Sequence, residues 1–416
     1  MDAVAVQDLA DDLDGFVGDV FASLTRSGWQ ERAGHYLRGL MLDGRRKSIQ
    51  PMAVRLAGPH EQALNHFVTN SPWDAAAVRQ RLAVRMGEAI EPAAWALDDT
   101  GWLKCGTASV CVARQYTGTA GKVTNCQIGV SLNLVTDTAS CPVDWRLFVP
   151  EAWDATSSTA TPETSARRRR AAMPDEAVHR EKWRLALEMI DEVTGWTGPP
   201  PLIVADAGYG DAAEFRQELD NRNLDWILGV NSAHTAFTVD TRRTAPPYKG
   251  NGRRPPRIYR EAAPSLKTHV LTAGRDTVRQ VTWRTGSRRR NGKNRPIRGH
   301  FVFLRLRPAS LIHRRAADFG DLPVRWLIAE WPPNEPEPTR YWLSNLPANT
   351  PMRRLVRLAK LRWRIEHDYR ELKTGLGLDH YEGRTWQGWH HHTTLVSAAH
   401  AFLTLQRLDP KTPAPE

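Results

Sequence analysis

The chain has 416 residues, a formal net charge of +11 and a sequence pI of about 9.7. A basic balance of this size favours a polyanionic partner, most simply nucleic acid, because each neutralised phosphate releases counterions. No stretch is both apolar and long enough to span a bilayer, and the acidic start MDAVAVQDLADDLDGF lacks the charged-then-apolar order of a signal peptide.

Residues 1–90 carry apolar side chains at helical spacing and predict an N-terminal helical domain that binds DNA. Within it, the basic segment GRRKSIQPMA predicts a turn that leads into a helix. We expect Arg45, Arg46 and Lys47, at the start of that helix, to contact DNA phosphates; a solvated turn is the alternative.

In residues 91–235 the helical spacing of apolar residues gives way to β-branched or alternating runs, which predict three or four mostly antiparallel strands. The first of these, in AAWALDDTG, is expected to end at Asp98 and Asp99. The polar stretch ATSSTATPETSARRRRAAMP predicts an exposed loop whose arginine run contacts phosphate or is simply solvated. A helix, HREKWRLALEMIDEV, follows it. The strand LIVAD then ends at Asp206, before a turn, a helix and the strand DWILGV.

Residues 236–345 are rich in Arg and Pro and predict a β-rich insertion with the strands THVLTAG, RQVTWRT, RGHFVFLRLRP, RWLIAEW and RYWLSNLP. The segment WRTGSRRRNGKNRPIRGH predicts a hairpin whose cationic loop contacts DNA through Arg288, Arg289, Arg290 and Lys293. Helical patterns return over residues 346–405, and residues 406–416 form a tail.

The segment from Leu361 to Arg384 predicts a helix that is crowded with cations. One apolar stripe should pack on a sheet, and it consists of Leu358, Leu361, Ile365, Tyr369, Leu372 and Leu376. A second stripe runs beside it and consists of Arg362, Glu366, Arg370 and Lys373. This spacing sets Glu366 next to the buried face, whereas Asp368 and Glu371 are expected to be solvated.

Acidic residues thus fall at predicted strand ends, at Asp98 with Asp99 and at Asp206, and on one helix, at Glu366. Strand ends are where open α/β sheets commonly carry their chemistry. Carboxylates supply the oxygen ligands that Mg²⁺ requires. Two such ions about 3.5–4 Å apart can activate the attacking oxygen of a phosphodiester and neutralise the leaving one. The alternative is that these residues have no catalytic role: the aspartates cap turns, and Glu366 forms an ordinary salt bridge with an arginine along the helix.

The segment RWRIEHDYRELK resembles the signature of DDE transposases from bacterial insertion sequences, which is Tyr, two residues, Arg, three residues, Glu, six residues, Lys. Arg362, Glu366 and Lys373 match it in identity and spacing. Ala359 occupies the Tyr position, so a DNA contact made by that Tyr is not carried over. LDDTGWLKCG and IVADAGYGD resemble the first two acidic blocks, and SVCVARQYTGTAGKVTNCQIGVSL is similar to the subgroup of insertion sequence family 701.

The resemblance covers roughly residues 90–405 and implies an α/β fold. That fold is a ribonuclease-H-like catalytic core, residues 91–235 and 346–405, with the β-rich insertion ahead of the catalytic Glu helix. It further implies that two Mg²⁺ ions, replaceable by Mn²⁺, bind the first aspartate, Asp206 and Glu366. The implied activity nicks the ends of an insertion sequence and joins the freed 3′-hydroxyl to target DNA. Arg362, Arg370 and Lys373 would hold flanking phosphates.

The implied partners are double-stranded DNA, as terminal inverted repeats and as target, and a second copy of the chain when paired ends are bound. Trp342 is the candidate counterpart of a Trp that receives a flipped base in relatives, and a core-strand Trp is the favoured alternative. Successive strand residues face opposite ways, so only one of Asp98 and Asp99 can point into a site. An Asp-x-Thr pattern selects Asp98 and an Asp-Thr pattern selects Asp99; we favour Asp98.

Three rival functions remain open: a nuclease on the same core that does not join DNA, a non-catalytic DNA-binding protein, and a peripheral membrane protein. The last lacks a basic amphipathic helix with aromatic anchors. The four cysteines form no Cys-x-x-Cys pair and predict reduced thiols in a cytoplasmic, nucleoid-associated protein. The adjacent His390, His391 and His392 would point about 100° apart on a helix and would not converge on one ion.

Overall fold

The computed structural model describes residues 3–26, 28–56, 61–245, 247–248, 250–252, 257–290, 293–310 and 320–409. By its internal contacts the chain divides into two units. Unit 1 comprises Met1–Pro200 and Trp363–Glu416, and unit 2 comprises Pro201–Arg362. The domain boundaries near residues 90, 235 and 345 stay a prediction.

The elements are given in chain order for the described residues. The helices are α1 (Ala3–Val20), α2 (Trp29–Met41), α3 (Ile49–Arg55), α4 (Glu61–Thr69), α5 (Ala75–Ile90), α6 (Pro162–Arg170), α7 (Lys182–Thr197), α8 (Ala207–Gly210), α9 (Ala213–Asn221), α10 (Leu266–Ala273), α11 (Met352–Lys360), α12 (Trp363–Arg370) and α13 (Trp386–Leu408). The strands are β1 (Ala94–Leu103), β2 (Ala113–Thr117), β3 (Lys122–Val135), β4 (Ser140–Leu147), β5 (Ile203–Ala205), β6 (Trp226–Val230), β7 (Ala236–Thr238), β8 (Arg279–Arg290), β9 (Lys293–Pro308), β10 (Arg325–Glu330) and β11 (Arg340–Ser344). The chain is therefore a mixed α/β protein, and the helical N-terminal segment is confirmed.

The sheet of unit 1 is antiparallel, as predicted, and β3 is its hub because it pairs with β1, β2 and β4. The expectation that the first strand ends at Asp98 and Asp99 is wrong. Strand β1 pairs with β3 over all ten of its residues, from Ala94 to Leu103, so both aspartates lie in the middle of a strand. The two aspartates were expected to end the strand before a turn, but β1 continues through them to Leu103.

Helices cover both faces of this sheet. On one face, α5 and α7 pack against β3 and β4; on the other, α12 packs against β1 and β4 and α13 packs against β4. On the face covered by α12 and α13, the packing is held by three tryptophans whose rings meet edge to face: Trp102, Trp145 and Trp389. Gly129 of β3 lies beneath them, and a Cβ there would stand 2.7 Å from the ring of Trp102. The aromatic cluster therefore fixes where α13 sits on the sheet.

Within the predicted polar loop, residues 155–174, the segment Pro162–Arg170 is instead helix α6, and the residues on either side of it are not helical. Thr161 caps the helix and forms a reciprocal capping box with Thr164, a signal that the polar composition concealed. Arg168 is buried and donates to the backbone carbonyls of Trp153 and Ala177 at 2.9 and 2.8 Å. Arg168 is therefore engaged within the protein, an arrangement that disfavours contact with phosphate.

The strands of unit 2 run in the order β5-β6-β11-β10-β9-β7, with β8 paired to β9. Strands β5 and β6 are parallel, and the other pairs are antiparallel. Four of the five predicted insertion strands are confirmed, but THVLTAG forms helix α10, which Ser265 caps. The predicted hairpin is confirmed, with Arg290 opposite Lys293, so its cations lie on strands and not in a loop. The side chains of Arg288, Arg289, Arg290 and Lys293 lie outside the described residues.

The helix predicted from Leu361 to Arg384 is shorter in the structure. Helix α12 continues as a π-helical turn, Glu371–Gly375, and the residues between that turn and α13 are not helical. Gly377 ends the run with φ of 67°, and a Cβ there would lie 2.3 Å from Cβ of Lys47. Only glycine suits both the left-handed backbone and this close approach. In the described ranges, no helix combines the length and apolarity needed to cross a bilayer.

Candidate active site

Asp98 and Asp99 lie on opposite faces of the sheet in unit 1. Asp99 accepts a hydrogen bond at 2.9 Å from Nζ of Lys182, the first residue of α7. Asp98 is aligned with Ser131 of β3, whose Oγ lies 2.7 Å from the Tyr369 hydroxyl of α12. Residues directly opposite in an antiparallel pair share a face. Asp98 is therefore on the face that α12 covers, and Asp99 is on the face that α7 covers.

Asp98 is 8% exposed, and its Oδ1 accepts a hydrogen bond at 2.9 Å from the backbone N–H of Asp99. The network around its partner Ser131 is also ordered, because the Asn133 side chain donates to Ser131 Oγ at 2.8 Å. The sheet thus presents one carboxylate toward the helix that bears Glu366. Strand alternation separates the two aspartates, as predicted. The contact that shows which of them faces α12, between Ser131 and Tyr369, joins residues far apart in the chain and leaves no local sign in the sequence.

Glu366 lies on the exposed part of α12. Ile365 beside it is fully buried against the sheet, whereas Glu366 and Arg370 are exposed. One residue advances about 100° around a helix, which carries Glu366 away from the surface that Ile365 buries. Asp98 and Glu366 thus belong to the same unit and to the same two-layer assembly, in which α12 packs on β1.

The expectation that Asp368 and Glu371 are solvated is wrong. Asp368 is 1% exposed, and its Oδ1 lies 4.0 Å from Arg364 Nε and 4.0 Å from His400 Nε2. On a helix, residue 368 falls only about 60° from residue 365, so it shares the buried face. Glu371 is half-buried and forms a two-pronged ion pair with Arg407 of α13, which lowers the pKa of its carboxyl group against the opposing effect of burial. Asp368 of α12 and Glu371 of the π-helical turn after it both contact α13.

Lys373 is bonded to the protein. Its Nζ donates to the backbone carbonyl of Gly101 at 2.8 Å and to Thr119 Oγ1 at 2.9 Å. Burial lowers the pKa of the ammonium, and Asp379 partly offsets that effect. Since Gly101 is in β1, this side chain ties the turn after α12 to the strand that carries Asp98. The predicted phosphate contact of Lys373 would require these bonds to break.

Replacing Lys373 with Met should lower the free energy of unfolding by about 1.5–3 kcal/mol, because a charged donor and its two hydrogen bonds are lost. Arg370→Met, on the exposed side of the same helix, should change it by less than about 0.5 kcal/mol. Urea unfolding of both variants measures the difference. Equal stability of the two variants would contradict a structural role for Lys373.

Asp206 directly follows β5, as predicted, and caps the short helix α8 by accepting from the Gly208 N–H at 2.9 Å. The turn lies tightly on the neighbouring strand β6. A Cβ on Gly210 would stand 2.0 Å from the Gly229 carbonyl oxygen, so position 210 excludes a side chain, and a Cβ on Gly229 would make a tight contact of 3.1 Å with the Ala207 nitrogen. This packing holds Asp206 at the carboxyl end of a parallel strand of unit 2, where α/β sheets commonly present ligand-binding groups.

The predicted DNA contacts differ in how much of each side chain is accessible. Arg45 and Arg46 are exposed, but Lys47 is 4% exposed and donates to the Leu42 carbonyl, an arrangement that disfavours contact with phosphate. Trp342 is 8% exposed within β11 and lies beside the Lys360 ammonium, at 5.5 Å from its ring. The core-strand interpretation of Trp342 is therefore favoured. Arg362 is half-buried at the end of unit 2.

Within the described residues, no three His, Cys, Asp or Glu side chains are assembled into a metal-binding cluster. His391 lies between the carbonyls of Val68 and Trp73, and His392 contacts the Tyr36 hydroxyl. These two histidines serve packing and hydrogen bonding. Asp98, Asp206 and Glu366 offer only oxygen donors, which is the ligand chemistry that Mg²⁺ and Mn²⁺ accept.

Comparison with known proteins gives consistent matches. Residues 19–290 match the family model described as DDE superfamily endonuclease, and residues 179–402 match the one described as Transposase DDE domain. The chain is 27% identical over 199 residues to the "Probable transposase for insertion sequence element IS701" of Microchaete diplosiphon. That alignment covers 47% of each protein, so the chain spans about half the length of this curated relative. The resemblance drawn from the three acidic blocks is confirmed: the chain belongs to the DDE superfamily of endonucleases and transposases.

Proposed function

We propose that the chain is a DNA transposase that nicks the ends of an insertion sequence and joins the freed 3′-hydroxyl to target DNA. The observation that carries the proposal is the position of Asp98 on the face of the sheet that α12, with Glu366, covers. Family membership supplies the reaction class, and the net charge of +11 suits a DNA substrate. A ribonuclease-H-like core is part of this proposal.

Asp98, Asp206 and Glu366 are the proposed ligands of two Mg²⁺ ions, for which Mn²⁺ would substitute. Asp98 is preferred to Asp99 because Lys182 already neutralises Asp99 on the opposite face. Bound divalent ions would supply a lowered pKa for the attacking water and charge neutralisation at the leaving oxygen. The exposed Arg370 and the half-buried Arg362 are suited to hold flanking phosphates.

The proposed reaction has two stages with the same in-line geometry. In the first, water attacks a phosphodiester at the element end, the P–O3′ bond breaks and a 3′-hydroxyl is released. In the second, that 3′-hydroxyl attacks a phosphodiester of target DNA, and a new P–O3′ bond replaces the one that breaks. Two copies of the chain would bind paired element ends, because joining requires both ends together.

A strand-transfer assay with a pre-nicked element end tests this function. We expect joined product with Mg²⁺ or Mn²⁺, and none with a chelator present. Asp98→Asn should abolish joining, whereas the matched Asp99→Asn, on the other face, should retain most of it. Nicking without joining would favour the nuclease alternative, and tight DNA binding with neither reaction would favour the non-catalytic binding protein.

A further inference from the structure

A cleft in unit 1 gathers cations from three separate segments of the chain. It has a volume of about 370 Å³ and is lined by Arg46 from the loop before α3, Lys104 from the end of β1 and Arg384 from the loop before α13. Two hydroxyl side chains, Ser48 and Ser109, line it as well. Guanidinium, ammonium and hydroxyl groups around one concave surface are the donor set that binds phosphate oxygens.

The two arginines of the cleft are available to a ligand. Arg46 and Arg384 are exposed, and with respect to the described residues neither guanidinium forms a salt bridge. Lys104 is held differently, because its Nζ donates to the Tyr381 carbonyl at 2.6 Å and the ammonium is partly buried. The cleft thus combines two exposed guanidinium groups with one ammonium that is bonded to the protein.

Backbone contacts keep the walls of the cleft in place. The Val110 N–H donates to the Arg384 carbonyl at 3.2 Å, which joins the loop after β1 to the segment before α13. The Lys47 N–H donates to His380 Nδ1 at 3.0 Å, which joins the loop before α3 to the same wall. Three segments distant in sequence are therefore fixed around one opening, which argues for a formed site.

Two carboxylates, Asp379 and Glu382, also line the cleft. They oppose an anionic ligand, so the three cations of the cleft exceed its carboxylates by only one. The carboxylates weaken the attraction of the cleft for a phosphate, so the affinity for a polyanion can be lowered or raised by substitution. Removing cations and removing carboxylates should move the affinity for a polyanion in opposite senses.

We infer that this cleft binds the sugar–phosphate backbone of duplex DNA at a place separate from the reacting phosphodiester. The inference rests on the proposed function, since it assigns a further contact to the same DNA substrate. Lys104 follows Asp98 by six residues along and just beyond β1, which is about 20 Å in an extended strand. At about 3.4 Å per base pair, that span corresponds to roughly six base pairs. The cleft therefore anchors the duplex about half a turn from the site of cutting.

Binding of a labelled duplex of about 30 base pairs, measured in EDTA at several salt concentrations, tests the inference without any reaction. Arg46→Gln with Arg384→Gln should weaken binding about tenfold and reduce the slope of log affinity against log salt by about two. Asp379→Asn with Glu382→Gln should strengthen binding about threefold or more. The matched control is Arg180→Gln with Arg184→Gln, two arginines on either side of the start of α7, on the face of the sheet opposite α13, and it should change neither quantity.

Unchanged affinity and salt slope in the arginine double variant would overturn the inference, as would weaker binding in the carboxylate double variant. Circular dichroism and thermal unfolding of each variant separate a folding defect from lost contact. Failure of the proposed function is a separate outcome, because binding is measured in EDTA and does not depend on cutting. A wild-type chain that never cuts DNA would refute the proposed function, while the affinities of the two double variants would still decide whether the cleft binds DNA. Conversely, if the chain cuts and joins DNA but the double variants bind DNA with wild-type affinity, only the inference about the cleft fails.

Discussion

Glu366→Gln is expected to reduce Mg²⁺-dependent nicking of an element end about a thousandfold or more. Loss of one anionic ligand removes several kcal/mol of transition-state stabilisation, and each 1.36 kcal/mol is about a factor of ten in rate. Because Glu366 is exposed on α12, the substitution should leave the fold intact. DNA affinity should stay the same or rise, since a carboxylate that repels phosphate is removed.

The matched control for this prediction is Glu371→Gln, the same chemical change five positions along the chain. Glu371 pairs with Arg407 and has a structural role, so its loss should lower stability and leave nicking within about threefold of the wild type. Nicking rates with Mg²⁺ and with Mn²⁺, beside gel-shift affinities, measure both effects. Equal nicking by the Glu366 variant and the wild type would remove Glu366 from the catalytic set.

Asp144→Ala should cost about 3–5 kcal/mol of the free energy of unfolding, because it leaves a buried guanidinium without its partner. Asp144 is fully buried in β4 and lies 2.8 Å from Arg79 of α5 and 2.9 Å from Arg146. Burial lowers the pKa of the Arg79 guanidinium, and the charge of Asp144 opposes that effect. The pair therefore holds α5 on the sheet, and its loss should be felt across unit 1.

An exposed ion pair supplies the comparison for Asp144. Glu163 pairs with Arg170 at 2.6 Å on the surface of α6, with both side chains about two-thirds exposed. Glu163→Ala should therefore cost less than about 1 kcal/mol. Urea unfolding of both variants under the same conditions tests the contrast, and a cost for Asp144→Ala as small as that for Glu163→Ala would refute the argument.

Periodicity predicted most of the elements because burial imposes it directly. Apolar spacing of three and four found α1, α2, α5 and α7, and alternating or apolar runs found most of the strands. The errors arose where a local signal competed with that pattern. The β-branched segment THVLTAG falls in helix α10 because Ser265 caps that helix. The second half of the polar segment, Pro162–Arg170, forms helix α6 because Thr161 caps it.

The sequence identified the acidic residues of the candidate site but not which side of its strand or helix each of them occupies. Strand alternation separates Asp98 from Asp99, yet only the contact between Ser131 and Tyr369 identifies which face α12 covers. Asp368 was predicted to be solvated because it is charged and lies off the apolar stripe, but its carboxylate is buried beside Arg364 of the same helix and His400 of α13. The contacts of Ser131 with Tyr369 and of Asp368 with His400 join residues far apart in the chain and leave no trace in local composition.

The most direct test of the proposed chemistry is anomalous diffraction from crystals of the chain soaked in Mn²⁺. We expect two manganese peaks ligated by carboxylate oxygens of Asp98, Asp206 and Glu366, with loss of peak height when any one of them is replaced by its amide. Manganese bound at Asp99, or no manganese at these three carboxylates with and without element-end DNA, would contradict the proposed active site.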